Sequence, residues 1–183
     1  MKLLARYSAY IGHPDPLARA GNVIAMFILS NQPFYPLYIY LLIGNRFWPA
    51  LFTLLSSPLY AAVPWLMRRN AIAGKWLLVF ASLANTLIAT SVLGTASGLE
   101  LFFFPCAVLG ALIFESRERL SRWIAAIAPI ALFLLLRGRY GSPFETYSAA
   151  EYSTLLSLHA VSAAAIAIFL CFAATAALAR KSG

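Results

Sequence analysis

Residues 154–179 read TLLSLHAVSAAAIAIFLCFAATAALA and contain no charged side chain. A helix needs about 20 consecutive apolar residues to cross the hydrocarbon core of a bilayer. This stretch exceeds that length, and Arg180 and Lys181 follow it directly. The pattern therefore predicts a transmembrane helix that ends at a basic membrane boundary.

Five further apolar stretches precede it, each closed by polar or charged residues. We place them at residues 22–43, 47–67, 75–95, 96–114 and 120–136. Of the 183 residues, 62% are hydrophobic and 11% are charged, whereas soluble domains are about 45–50% apolar and about 25% charged. The expected fold is all-α, an integral membrane bundle of six transmembrane helices over residues 21–183.

Basic residues are distributed unevenly between the loops on the two sides of the membrane. With both termini inside, eleven of the 14 Lys and Arg face the cytoplasm, and the exceptions are Arg46, Arg137 and Arg139. Cytoplasmic loops are enriched in Lys and Arg, so we expect both ends inside a bacterial cytoplasmic membrane. The net charge of +8 is then explained by lipid headgroups rather than by nucleic acid. The longest outer loop, residues 137–153, is expected to form a lid.

Residues 1–20 precede the first span. Apolar residues such as Leu3, Leu4 and Tyr7 share one helical face, with Lys2 and Arg6 on the other. This spacing is typical of an amphipathic helix in the membrane interface. An ordinary basic leader before the first span explains it equally well.

Polar side chains inside the spans indicate where function is best sought, because each needs a partner in hydrocarbon. We select Asn31, Asn85, Glu100 and His159 as candidate ligand-binding residues, together with Phe104. Glu100 and His159 lie at comparable depths from the outer side, so a pH-sensitive pair between them is one hypothesis. The alternative is that such residues are interhelical hydrogen-bonding groups without a ligand.

Prolines lie within several of the expected spans, and each can kink its helix and leave room for a ligand. They are Pro33, Pro36, Pro58, Pro64, Pro105 and Pro129. Cys106 and Cys171 both lie in apolar runs and are interpreted as core residues. No sequence motif for a metal, a cofactor or a P-loop is found, so we expect no cofactor and no catalytic group.

One catalytic alternative is a rhomboid-like serine protease, with Ser97 as nucleophile and His159 as base. That family would require glycine where this chain has Thr95, and its oxyanion-site motif is missing from 47–50. We rank it below the two interpretations that follow.

Two stretches of the sequence resemble a known family of membrane domains. They are residues 97–105, SGLELFFFP, and residues 112–119, LIFESRER. They resemble the six-helix membrane domain in front of many bacterial class III adenylyl cyclases and of some histidine kinases, including quorum-sensing ones. In that group the fourth helix opens with a polar residue before a Phe-Phe-x-Pro-like run and ends in a charged turn.

The resemblance implies a membrane sensor that binds a small hydrophobic ligand between its helices and transmits a shift along the sixth helix. In that family an effector domain follows the sixth helix, whereas the printed sequence ends at Gly183. The chain is then expected to be a truncated sensor, a stand-alone relative that acts through a protein partner or homo-oligomer, or an accessory subunit of a larger membrane complex.

Overall fold

The computed structural model describes the backbone of residues 2–182 and the side chains of residues 7–179. The side chains of Lys2, Leu3, Leu4, Arg6, Arg180 and Lys181, on which part of the sequence interpretation rests, lie outside the described set. Within the described residues the secondary structure is entirely helical. The helices are α1 (Lys2–Ile11), α2 (Pro16–Asn31), α3 (Phe34–Ile43), α4 (Ser57–Arg69), α5 (Ala71–Leu93), α6 (Phe103–Ile113), α7 (Arg119–Leu136) and α8 (Ala149–Ser182).

Four helical stretches are long and apolar enough to cross a membrane. They are Phe34–Arg69, Ala71–Leu93, Arg119–Leu136 and Ala149–Ala179, and Leu99–Ile113 is a shorter apolar helix. The first of these is not one straight helix, because Gly44 has φ +70° and ends α3 there. A 3₁₀ helix, Gly44–Ser56, then leads into α4. The expected all-α membrane fold is confirmed at this level.

The stretch expected at 22–43 consists of two helices, α2 and α3. Pro33 separates them, because it has no N–H to donate to the preceding turn. At its other end α2 begins at Pro16, earlier than expected, and the Leu17 N–H donates to Asp15 Oδ1 over 3.0 Å as an N-terminal cap.

Kinks were expected at the other prolines as well, but most of them stand at the start of a helix and not inside it. Pro36, Pro58 and Pro105 stand in the first turns of α3, α4 and α6, where a missing N–H costs little because it has no partner in the helix. Pro64 and Pro129 are the two that lie inside α-helices.

The expected helix 96–114 is also shorter than predicted. Two 3₁₀ turns, Thr95–Ser97 and Leu99–Phe102, precede α6. Gly94 and Gly98 have φ of +83° and +81°, a conformation that favours glycine and interrupts an α-helix. The loop expected at 137–153 is correspondingly shorter, because α8 begins at Ala149.

Five elements pack as a closed ring. Helix α8 packs against α2 and α6, α2 packs against α4, α4 against α5, and α5 against α6. Helix α7 lies outside this ring and packs mainly on α6. The two helices approach closely at Gly110, where an added Cβ would come within 2.2 Å of the Ala125 carbonyl oxygen.

Helix α1 is attached to the bundle by side chains. The Tyr10 hydroxyl donates to the Ala61 carbonyl over 2.6 Å, and the Arg68 guanidinium lies 4.9 Å from the centre of the Tyr10 ring. The buried Asn22 donates from Nδ2 to the Ile11 carbonyl over 3.0 Å. These contacts connect α1 to both α2 and α4.

Candidate functional site

A cavity of about 200 Å³ lies at the centre of the helix ring. Its lining comes from α2, α3, α4, α5, α6, α8 and the 3₁₀ segments, and none of the described residues of α7 contributes to it. The polar lining residues are Asn31, Gln32, Tyr35, Tyr38, Thr53, Tyr60, Ser82, Asn85, Thr86, His159 and Ser162. Among the described residues, no charged side chain lines the cavity.

One side of the cavity is held by a hydrogen-bond network around Gln32, which is buried. Gln32 Nε2 donates to the Thr53 carbonyl over 3.2 Å and to Ser56 Oγ, and Ser57 Oγ donates to Gln32 Oε1. Ser56 Oγ in turn donates to Asn85 Oδ1 over 2.9 Å. Because each of these amides has a partner, this side of the cavity is satisfied without a ligand.

A second group of hydrogen bonds in the cavity lining is organised by His159, whose side chain is 1% exposed. Its Nδ1 lies 2.6 Å from the Ser97 carbonyl oxygen, and its Nε2 lies 3.0 Å from the Tyr35 hydroxyl. A carbonyl only accepts hydrogen bonds, so the neutral ring carries its proton on Nδ1 and Tyr35 donates to Nε2. His159 thereby joins α8 to α3 and to the turn before α6.

The structure brings together three of the five residues selected from the sequence. Asn31, Asn85 and His159 all line the cavity. Phe104 is 45% exposed on α6, and its ring lies 5.5 Å from that of Phe133 on α7. It therefore points out of the ring.

Glu100 does not line the cavity and does not pair with His159. The electrostatic neighbours of Glu100 are Arg137 and Tyr140 beyond the end of α7. Burial, and secondly the Glu100 carboxylate, raises the pKa of Tyr140 to about 12. His159 has Tyr35 and Ser97 as its hydrogen-bond partners, so the side chains as the structure describes them do not form the hypothesised Glu100–His159 pair.

The geometry at Ser97 bears on the protease interpretation. Its hydroxyl donates to the Gly94 carbonyl over 2.6 Å, and it is the main-chain carbonyl of Ser97 that meets His159. A serine nucleophile needs its hydroxyl hydrogen-bonded to the base. The two residues do not form that pair here.

A lid closes one end of the bundle, and we call residues 137–148 the lid segment. Arg46 Nη1 donates to the Thr146 carbonyl over 2.9 Å, and its other nitrogen pairs with Glu151 at the start of α8. The Trp48 indole N–H donates to Glu145 Oε1 over 2.7 Å. These partners are about a hundred residues apart in sequence, so no local pattern could have identified them.

Aromatic rings complete the lid. The Phe144 ring stacks on Trp48 at 5.7 Å and meets Phe52 edge-on at 5.3 Å. The Phe144 N–H donates to the Val92 carbonyl at the end of α5 over 3.0 Å. The lid segment is thus bound to both the 3₁₀ segment and α5.

The other end of the bundle contains an ion triad that the sequence did not reveal. Lys75 is 1% exposed, and its Nζ lies 3.3 Å from Asp15 Oδ2 and 2.9 Å from Glu118 Oε2. Burial alone would raise the pKa of Asp15, but Lys75 and the Leu17 N–H outweigh it and hold that pKa below its ordinary value. In the sequence, Lys75 is a lone lysine at the start of the apolar stretch 75–95, and by the expected orientation it belongs to the cytoplasmic cations.

A family model matches residues 18–181, which include the ring, the cavity and the lid segment. The chain belongs to the MASE7 family. MASE7 is a family of membrane-associated sensor domains, so the expected membrane sensor is confirmed at that level. No curated protein and no solved structure matches the chain.

Proposed function

We propose that this chain senses a small uncharged molecule that binds in the central cavity. The observation that carries the proposal is a cavity of about 200 Å³ with hydrogen-bonding groups and no charged side chain among its described lining residues. A cavity of about 150 Å³ in another protein holds benzene, so this one is large enough for a ring or short chain with one polar group. An ion would lack a counter-charge there.

The polar group of the ligand competes for the bond between Tyr35 and His159. This bond joins α3 to α8, and α8 runs from the lid segment to the opposite end of the bundle. A ligand that accepts from Tyr35 or donates to His159 changes how α8 sits against α3. The shift then reaches the far end of α8, where a protein partner with cyclase or kinase activity would respond.

The proposal includes six membrane passes with both chain ends in the cytoplasm of a bacterium. Arg46 pairs with Glu151 at one end of the bundle, and Lys75 pairs with Glu118 at the other. By their positions in the chain, three basic and three acidic residues lie at the lid end, and their charges cancel. They are Arg46, Arg137, Arg139, Glu100, Glu145 and Glu151. The net charge of +8 therefore falls at the Lys75 end, which the positive-inside rule assigns to the cytoplasm.

Native mass spectrometry of the protein, purified from its own membrane in lipid nanodiscs, tests the proposal. We expect a bound neutral molecule that Ala89→Phe excludes, because Ala89 is 2% exposed and lines the cavity. Ala111→Phe, at an exposed position of α6 that does not line the cavity, is the matched control and should retain the molecule. Cys106→Leu narrows the cavity from another wall and should weaken retention.

Equal retention in all four proteins would contradict a ligand in the cavity. A protein that carries no small molecule but co-purifies in fixed ratio with a large membrane complex would instead support the accessory-subunit alternative. Thermal unfolding of each variant, measured on the same samples, shows whether Ala89→Phe still folds.

A further inference from the structure

A ring contact and a hydrogen bond join α8 to the α2–α3 pair at two points, which we call closures. At one closure the rings of Phe27 and Phe169 lie 4.6 Å apart. At the other the Tyr35 hydroxyl donates to His159 over 3.0 Å. Eight residues separate the two closures on the α2–α3 side, which corresponds to about 12 Å of helix.

Between these closures the cavity lining includes an exposed residue, and we call this part of the wall the slot. Asn31 lines the cavity and is exposed, although it is one residue before the buried Gln32. On the facing side Ser162 and Ile166 line the cavity and are half-buried. Residues 163–165 of α8 are all alanine, and Ala164 and Ala165 are exposed, so α8 carries only small side chains beside Ser162 and Ile166.

The slot lies near the middle of the helices that form it. Ser162 is within two residues of the midpoint of the candidate span Ala149–Ala179. Asn31 is similarly close to the midpoint of residues 16–43, the stretch formed by α2 and α3. The hydrocarbon core is about 30 Å thick, so the middle of a spanning helix faces lipid tails and not water.

Asn31 is an unusual residue for that position. Its side-chain amide makes no hydrogen bond with any residue that the structure describes, whereas Gln32 beside it has several. An amide without a partner in hydrocarbon costs free energy. Polar residues kept inside the membrane at such a cost commonly mark a ligand pathway.

We propose that the ligand enters and leaves the cavity sideways from the bilayer, through the slot between α2 and α8. The inference rests on the proposed function and narrows its ligand class. The ligand is a membrane-dissolved, uncharged molecule with an apolar chain or ring and one hydrogen-bonding group. Asn31 offers that group its first polar contact, and Tyr35 and His159 offer the next.

Photolabelling in lipid nanodiscs tests the route with a defined probe, a medium-chain primary alcohol that carries a diazirine. The control probe is the carboxylate of the same length. After brief illumination, peptide mass spectrometry measures the label on cavity residues such as Cys106 and Leu109. We expect the alcohol to label them and the carboxylate to label only peptides at the membrane boundary.

Ser162→Trp should close the slot, and Val161→Trp is the matched control because Val161 is 70% exposed and lies on the lipid side of α8. We expect Ser162→Trp to lower the rate of cavity labelling after the probe is added about tenfold, and Val161→Trp to leave that rate unchanged. Ile166→Ala should widen the slot and accelerate labelling, a gain that a misfolded protein would not give.

The outcomes separate the two proposals. If the alcohol labels no cavity residue in the unmodified protein, the cavity is not a ligand site and the proposed function fails with the route. If it labels the cavity equally in Ser162→Trp, Val161→Trp and Ile166→Ala, the slot is not the entrance, although the cavity still binds. If the carboxylate labels the cavity as well as the alcohol does, the restriction to uncharged ligands is wrong.

Discussion

The two ends of the bundle are both held by ion pairs, but the pairs are built differently. At one end Lys75 is 1% exposed and contacts two carboxylates. At the other end Arg46, whose side chain is 44% exposed, pairs with Glu151 and works alongside hydrogen bonds and stacked rings. Buried pairs are costly to break by removing one partner, whereas exposed pairs contribute little. We therefore expect the Lys75 end to act as a fixed base and the lid end to move more easily.

The largest expected effect comes from Lys75→Met, which leaves two carboxylates facing each other without their cation. We expect a loss of about 3–5 kcal/mol in the free energy of unfolding, measured by denaturation in detergent. Arg119→Met removes an exposed cation from the same end and should have almost no effect. If the two variants were equally stable, the triad would not be the fixed base of the bundle.

A smaller effect at the same end depends on pH. Because the folded state holds the pKa of Asp15 below the ordinary value of 3.8, ionised Asp15 stabilises the fold above that pH. This stabilisation is lost as the pH falls through the folded pKa. Asp15→Asn keeps an N-cap side chain but has no charge to titrate.

Melting temperatures of the two proteins should therefore converge on acidification below about pH 4 and differ at neutral pH. A constant difference across that range would contradict a stabilising charge on Asp15.

At the lid end, Trp48→Ala should loosen the lid segment without unfolding the bundle. It removes the ring stacked on Phe144 and the donor to Glu145. We expect amide exchange in the lid segment to rise about fivefold, equivalent to ~1 kcal/mol, as measured by hydrogen–deuterium exchange. Trp123→Ala, a 54% exposed tryptophan on α7, should leave the lid segment unchanged.

The smallest effect is expected for Arg46→Gln. The exposed pair with Glu151 is screened by salt and contributes little, so the melting temperature should hardly change. Only the exchange of amides near Thr146, whose carbonyl accepts from Arg46, should increase. A loss as large as that of Lys75→Met would remove the contrast between the two ends.

Apolar length in the sequence was sufficient to predict a helical membrane protein, because lipid allows few alternatives for such stretches. It could not predict where helices bend into 3₁₀ turns, which depends on Gly44, Gly94 and Gly98 adopting positive φ. The 3₁₀ turn after Gly98 determines where Glu100 lies. Its electrostatic neighbours are Arg137 and Tyr140, and it does not line the cavity.

The candidate site was only partly predictable for a related reason. Asn85 and His159 were identified because polar residues in apolar helices are conspicuous. The hydrogen bond between Gln32 and Ser56 could not be predicted, because it joins segments that are distant in sequence. The burial of Lys75 depends on the packing of three elements, and a local pattern contains no such information.

The most direct test of the account is nuclear magnetic resonance of the protein in bilayers, labelled with ¹⁵N only at histidine. The chain has two histidines, His13 and His159, so His13→Ala assigns both signals. We predict that His159 is neutral with its proton on Nδ1, and that a medium-chain alcohol shifts its Nε2 signal by competing with Tyr35. The carboxylate of equal length should not shift it. An Nε2 signal that ignores the alcohol, or a His159 protonated on Nε2, would contradict the cavity as the sensing site.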